Sequence, residues 1–97
     1  MSASAQTLLG EHAWADSIYT AMSDDERIGQ LFMVRAASKG DAKETKRIKK
    51  EIRDFHIGGI CFFQGDPREE ARITNIYQDD SKMPLMTAID GEWGLGI

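Results

Sequence analysis

Two carboxylates stand two residues apart in Asp90-Gly91-Glu92-Trp93-Gly94, directly after the apolar run Pro84-Leu85-Met86-Thr87-Ala88-Ile89. Paired carboxylates on one turn are the groups a hydrolytic centre uses for proton transfer and nucleophilic attack, so Asp90 and Glu92 are the first candidate pair. Cys61 is the only cysteine, so no intramolecular disulfide forms. A nucleophilic thiol needs an electropositive, accessible setting and a base, and the sequence around Cys61 offers neither. Its simplest role is that of a small core residue. No Cys/His cluster has metal-ligand spacing, and no metal is expected.

The elements that must position Asp90 follow from apolar periodicity. Trp14, Ile18, Ala21 and Met22 fall on one helical face from Ala13 onward. Ser23-Asp24-Asp25-Glu26 is a capping box that starts a second short helix running into Gly29. Leu31-Phe32-Met33-Val34 is the first strand expected, with Ala36 to Gly40 as a loop. Asp41 caps a third helix whose core face is Ile48, Ile52 and Phe55. Its lysines and arginines are interleaved with Glu44, Glu51 and Asp54, which predicts a solvated face.

Ile57-Gly58-Gly59-Ile60-Cys61-Phe62-Phe63 is the second strand expected, with the glycine pair marking close backbone approach. His56 sits before that strand. Ligand sites in parallel α/β folds lie at the opposite, C-terminal ends, so His56 reads as structural. Asp66 as N-cap, Pro67 at the first helical position and Glu69 open a fourth helix with Ala71, Ile73, Ile76 and Tyr77 on its apolar side. Asp79-Asp80-Ser81-Lys82 is expected to break it, and Pro84 leads into the third strand. Strand starts recur about thirty residues apart with a capped helix between them, the rhythm of βαβ units. Apolar strands without alternation predict a parallel sheet covered on both faces.

The composition sets limits. Ninety-seven residues make one small domain, and 41% hydrophobic with 29% charged residues is ordinary for a globular chain. A net charge of -4 argues against nucleic acid as a partner. No apolar run approaches the ~20 residues of a membrane span. Residues 1–12 read as a disordered leader or the remnant of a signal peptide, with Ala3 and Ala5 in an A-x-A pattern. Residues 13–97 form the folded part.

Three blocks in order carry a family resemblance. Ser23 to Val34 resembles the opening segment of family 3 glycoside hydrolases. His56-Ile57-Gly58-Gly59-Ile60-Cys61-Phe62-Phe63, with Ile73-Thr74-Asn75-Ile76-Tyr77-Gln78 after it, resembles the second strand and its helix. Pro84 to Gly96 resembles the third strand and the sugar-binding turn. The similarity spans Trp14 to the end, more than four-fifths of the chain. It is greatest to the bacterial β-N-acetylglucosaminidase branch, and the Glu92-Trp93-Gly94-Leu95-Gly96 variant resembles exported enzymes of that branch.

The resemblance implies an α/β fold, the first three βα units of an incomplete (β/α)8 barrel preceded by short helices. It implies a retaining glycosidase acting on β-linked N-acetylglucosamine or related β-glycosides, with no metal or organic cofactor. It also reassigns the carboxylates. The family's nucleophile and acid/base belong to later segments, expected beyond Ile97, so no catalytic residue is expected here and this chain alone is expected to be inactive. Asp90 matches the aspartate that accepts hydrogen bonds from sugar hydroxyls. Glu92 is expected to hold the loop through backbone amides. Trp93 either packs beside the sugar or covers the barrel mouth. The expected partners are a carbohydrate substrate and the remainder of a parent chain that covers the sheet edges. The competing reading is a non-catalytic α/β module that self-associates or binds a partner through those edges.

Overall fold

The computed structural model describes residue 10 and residues 12–94. The leader reading for residues 1–12 therefore falls almost wholly outside the described residues, as do Leu95 to Ile97.

Two short helices lead in. Helix α1 spans Ala13–Ala21 and α2 spans Asp24–Gly29. The capping box is present in both directions: Glu26 N donates to Ser23 Oγ at 3.2 Å, and Ser23 N donates to Glu26 Oε2 at 2.9 Å. Strand β1 (Met33–Ala36) follows, then α3 (Ala42–Phe55), β2 (Gly59–Phe62), α4 (Pro67–Asp80) and β3 (Met86–Ile89). Asp41 and Asp66 cap α3 and α4 as their residue types require, accepting from the first-turn amides of Glu44, and of Arg68 and Glu69. Pro67 takes the first helical position, where its missing N–H removes no bond.

The strands form one parallel sheet in the order β1-β2-β3. Register and alternation sort its side chains. Val34, Ala36, Ile60 and Phe62 share one face, because residues two apart on a strand point the same way. Both α3 and α4 pack there. Ile48 and Ile52 from α3 and Ile73 and Tyr77 from α4 join Ala36, Ile60, Phe62, Ile57 and Leu85 in a single buried cluster. Each large side chain so buried contributes about 1.5–3 kcal/mol relative to exposure. Burial also pushes the Tyr77 phenol upward, with the Thr45 hydroxyl acting in the opposite direction.

The other face carries Met33, Arg35, Cys61, Met86 and Ala88. Met33 and Met86 are exposed there. The expectation of cover on both faces is thus met on one face only, among the described residues.

Other expectations need correcting. The first strand begins two residues later than its apolar run. Leu31 is 84% exposed, whereas Ala36, expected in the loop, is fully buried as the last residue of β1. A short apolar run locates a strand but not its register, which is set by pairing with β2. Phe55, the last residue of α3, is 63% exposed rather than in the core, and the helix buries Ile48 and Ile52. Helix α1 has no buried residue, and Trp14 is exposed. The expected break at Asp79-Asp80-Ser81-Lys82 is found: α4 ends at Asp80 with Ser81 as its C-cap, and the Asp80 carboxylate pairs with Lys49 and Arg53 of α3.

The expected close approach at the glycine pair is found. Gly58 N donates to Phe32 O at 3.0 Å. A Cβ at Gly58 would lie 2.0 Å from the Gln30 carbonyl oxygen. Only a residue without a side chain lets the chain entering β2 cross there.

Candidate functional site

The C-terminal ends of all three strands open on one side of the sheet. Their loops line a cavity of about 680 Å3 formed by Ala37 and Lys39 after β1, Phe63, Gln64 and Gly65 after β2, and Asp90, Glu92 and Trp93 after β3. Parallel strands oriented alike bring their following loops together, so residues from three distant parts of the chain meet.

Asp90 is placed by the sheet itself. Its N–H donates to Phe62 O at 2.9 Å, continuing the ladder one step past β3, while the side chain is exposed at the mouth. The turn after it is closed by Gly94 N donating to Gly91 O at 2.8 Å, with Gly94 at φ 79. Glu92 lines the cavity beside Asp90 and Trp93. Trp93 is 83% exposed beside the cavity. A wide apolar ring left in solvent at a polar opening is a surface suited to stacking on a ligand.

The other two loops are locked to each other by Ser38, a polar residue only 3% exposed. Its Oγ accepts from Asp66 N at 2.8 Å, and its own N–H donates to Gln64 O at 3.1 Å. Gly65 adopts φ 142, and a Cβ there would fall 1.4 Å from Ser38 Oγ. The Gly65 backbone must pass over the hydroxyl for Asp66 to reach it and still cap α4. One serine therefore fixes the loop after β1, the loop after β2 and the start of α4. Sequence reading places these residues in loops without linking them; the signal available was a small polar residue, Ser38, two positions past the end of the strand.

The lining carries one ammonium, Lys39, and two carboxylates, Asp90 and Glu92. Arg35 lies close by on the open face, its guanidinium 5.2 Å from the centre of the Phe63 ring. Carboxylate acceptors, a carboxamide at Gln64 and an aromatic face can bind a polyhydroxylated ligand through directional bonds and stacking. Among the described residues no group of three or more His, Cys, Asp or Glu side chains could hold a metal ion. No helix among them is long and apolar enough to cross a membrane.

His56 lies at the opposite end of the sheet. It ends α3 in the left-handed conformation, φ 53, and its carbonyl accepts from Gln30 Nε2 at 2.8 Å. Its Nε2 stands 3.9 Å from Glu26 Oε1, which also accepts from Lys82 Nζ at 2.8 Å. This cluster ties α2, the end of α3 and the loop before β3 together. Cys61 is half-buried on the open sheet face, outside the core cluster.

Comparison with family models, with curated proteins and with solved structures finds no match to this chain.

Proposed function

We propose that this chain forms part of a sugar-binding subsite in a retaining glycoside hydrolase that acts on β-linked N-acetylglucosamine or a related β-glycoside. The observation that supports this most is the shared cavity at the C-terminal ends of three parallel strands, with Asp90, Gln64 and Trp93 on its wall. Sequential strand order with both helices on one face is the arrangement of a (β/α)8 barrel. Half of a doubly wound sheet shares it. The open face favours the barrel: a guanidinium at Arg35, one layer below the mouth, suits a lumen that opens on a ligand better than a surface buried under helices.

In this reading Asp90 accepts hydrogen bonds from sugar hydroxyls, and Trp93 stacks beside the ring. The two chemical groups of the retaining mechanism, a nucleophile and a proton donor flanking the glycosidic bond, come from further barrel strands. The chain by itself then binds weakly and does not turn over.

Titration of the 97-residue protein with N-acetylglucosamine, followed by amide shifts, tests the reading. Shifts should cluster at Lys39, Gln64 and Asp90 to Gly94, and 4-nitrophenyl N-acetyl-β-glucosaminide should remain intact. Absence of shifts at these positions up to high millimolar sugar would overturn the subsite. Clear hydrolysis would overturn the division of labour.

A further inference from the structure

A second groove, of about 690 Å3, lies between α3 and α4. Its wall from α3 is basic. At about 100° of turn per residue, Lys43, Lys46, Lys49, Lys50 and Arg53 share one flank of that helix, within about 120° of arc. Glu44 and Glu51 fall on the other flank with Arg47 and pair with it, and Asp54 lies between the two. The helix thus sorts charges that alternate in sequence. From α4 the groove receives Arg72, while Ile73 is buried and Ile76 packs against the same core.

Lys43, Lys46, Lys50 and Arg53 are exposed. Lys49 and Arg53 pair with Asp80, Lys50 with Asp54, and Arg72 with Glu69. Exposed pairs of this kind are weak, so their cations can exchange partners. The whole chain has a net charge of -4, which makes this row of cations a local feature. The groove begins where the sugar cavity ends: Lys39 lines the cavity, and Gly40, the next residue, lines the groove. The 14 residues of α3 then carry the basic row away from the cavity for about 21 Å. In a barrel this is the outward side of the helical ring, which further strands leave uncovered.

We propose that this groove anchors an acidic polysaccharide whose neutral terminal sugar sits in the cavity, an inference that rests on the sugar-binding reading. The carboxylates of the cavity, Asp90 and Glu92, suit hydroxyl donors and repel anions, so the terminal residue is uncharged. The anionic residues behind it pass Lys39 and lie along the lysines of α3. A linear polymer matches such a row better than an anionic membrane does. A membrane gains its hold from apolar side chains inserted beside the charges, and the isoleucines of this groove are taken up by the core.

The test compares two oligosaccharides of equal length by amide-shift titration of the 97-residue protein at low ionic strength. One alternates β-linked N-acetylglucosamine with glucuronate and ends in N-acetylglucosamine; the other contains N-acetylglucosamine alone. The acidic probe should bind about tenfold more tightly, shifting Lys43, Lys46 and Lys50 as well as the cavity residues, and high salt should remove the advantage. Lys43→Gln combined with Lys46→Gln should weaken the acidic probe about tenfold and leave the neutral one unchanged. Arg68→Gln combined with Lys82→Gln, the same charge loss outside the groove, should leave both unchanged. Circular dichroism should show that these exposed substitutions leave the helices intact. Equal affinity for the two probes, or equal losses in the two double variants, would overturn the anchor and leave the cavity reading in place. Shifts on α3 without shifts in the cavity would overturn both. Cosedimentation with phosphatidylglycerol vesicles that the Lys43→Gln, Lys46→Gln variant abolishes, without preference for the acidic sugar, would give the groove to a membrane and overturn the proposal.

Discussion

Gln78, near the end of α4, makes both of its amide bonds to the backbone of Leu85: Leu85 N donates to Gln78 Oε1 at 2.8 Å, and Gln78 Nε2 donates to Leu85 O at 2.8 Å. The side chain supplies one rung of a ladder where no strand lies. It thereby sets where the chain turns into β3, and so where Asp90 emerges four residues after that strand begins.

Gln78→Ala leaves both backbone groups of Leu85, a residue only 6% exposed, without these partners. The expected loss is about 1–3 kcal/mol of unfolding free energy. Urea denaturation measures it, and a change below about 0.5 kcal/mol would show that water replaces the amide at no cost.

Gly58→Ala should destabilise the chain by about 1–3 kcal/mol. The obstacle is the Gln30 carbonyl oxygen at 2.0 Å, a backbone atom that cannot rotate away. Thermal unfolding of the variant should begin at visibly lower temperature. An unchanged midpoint would mean that the crossing of β2 under α2 is looser than the structure shows.

Stability should fall at both ends of the pH range, for different groups. The Lys82 ammonium, followed by the Ser23 backbone amide, holds the Glu26 carboxyl below its ordinary value. A carboxylate depressed in the folded state stabilises above its unfolded value, about 4.3, and that stability is lost as pH falls through the lower folded value. Glu26→Gln should therefore be less stable than the parent at neutral pH, with the two converging in acid. A gap that stays constant with pH would dismiss the linkage. The Tyr77 phenol, raised by burial, acts in the alkaline direction. Its contribution is complete below the unfolded value, about 10, and is lost as pH rises toward the higher folded one. Tyr77→Phe should flatten that limb.

At the strand ends, Asp90→Asn should weaken N-acetylglucosamine binding by about tenfold by removing charge-assisted acceptors, with little effect on stability because the side chain is exposed. Trp93→Ala should weaken it by a similar factor if the ring stacks on the sugar. Amide-shift titrations separate the two roles. An unaltered affinity in Trp93→Ala would leave the ring as a cover over the mouth.

Much of this molecule is local chemistry and was therefore legible from sequence. Ser23 with Glu26, Asp41, and Asp66 with Pro67 start helices through bonds within four residues, so no distant contact is needed to read them. The apolar runs and their spacing dictated a parallel α/β order, and the Gly58-Gly59 pair announced a tight crossing. Which residues end up where is a different matter. The register of β1 was decided by β2, which moved Ala36 into the core and left Leu31 in solvent. Phe55 kept the periodicity of a core residue yet faces solvent at the last residue of its helix. The cavity joining Lys39, Gln64 and Asp90, and the Ser38 hydroxyl that holds two loops together, exist only through pairing of residues about 25 to 50 positions apart. Local propensity carries no record of such pairs; only the folded sheet brings them into contact.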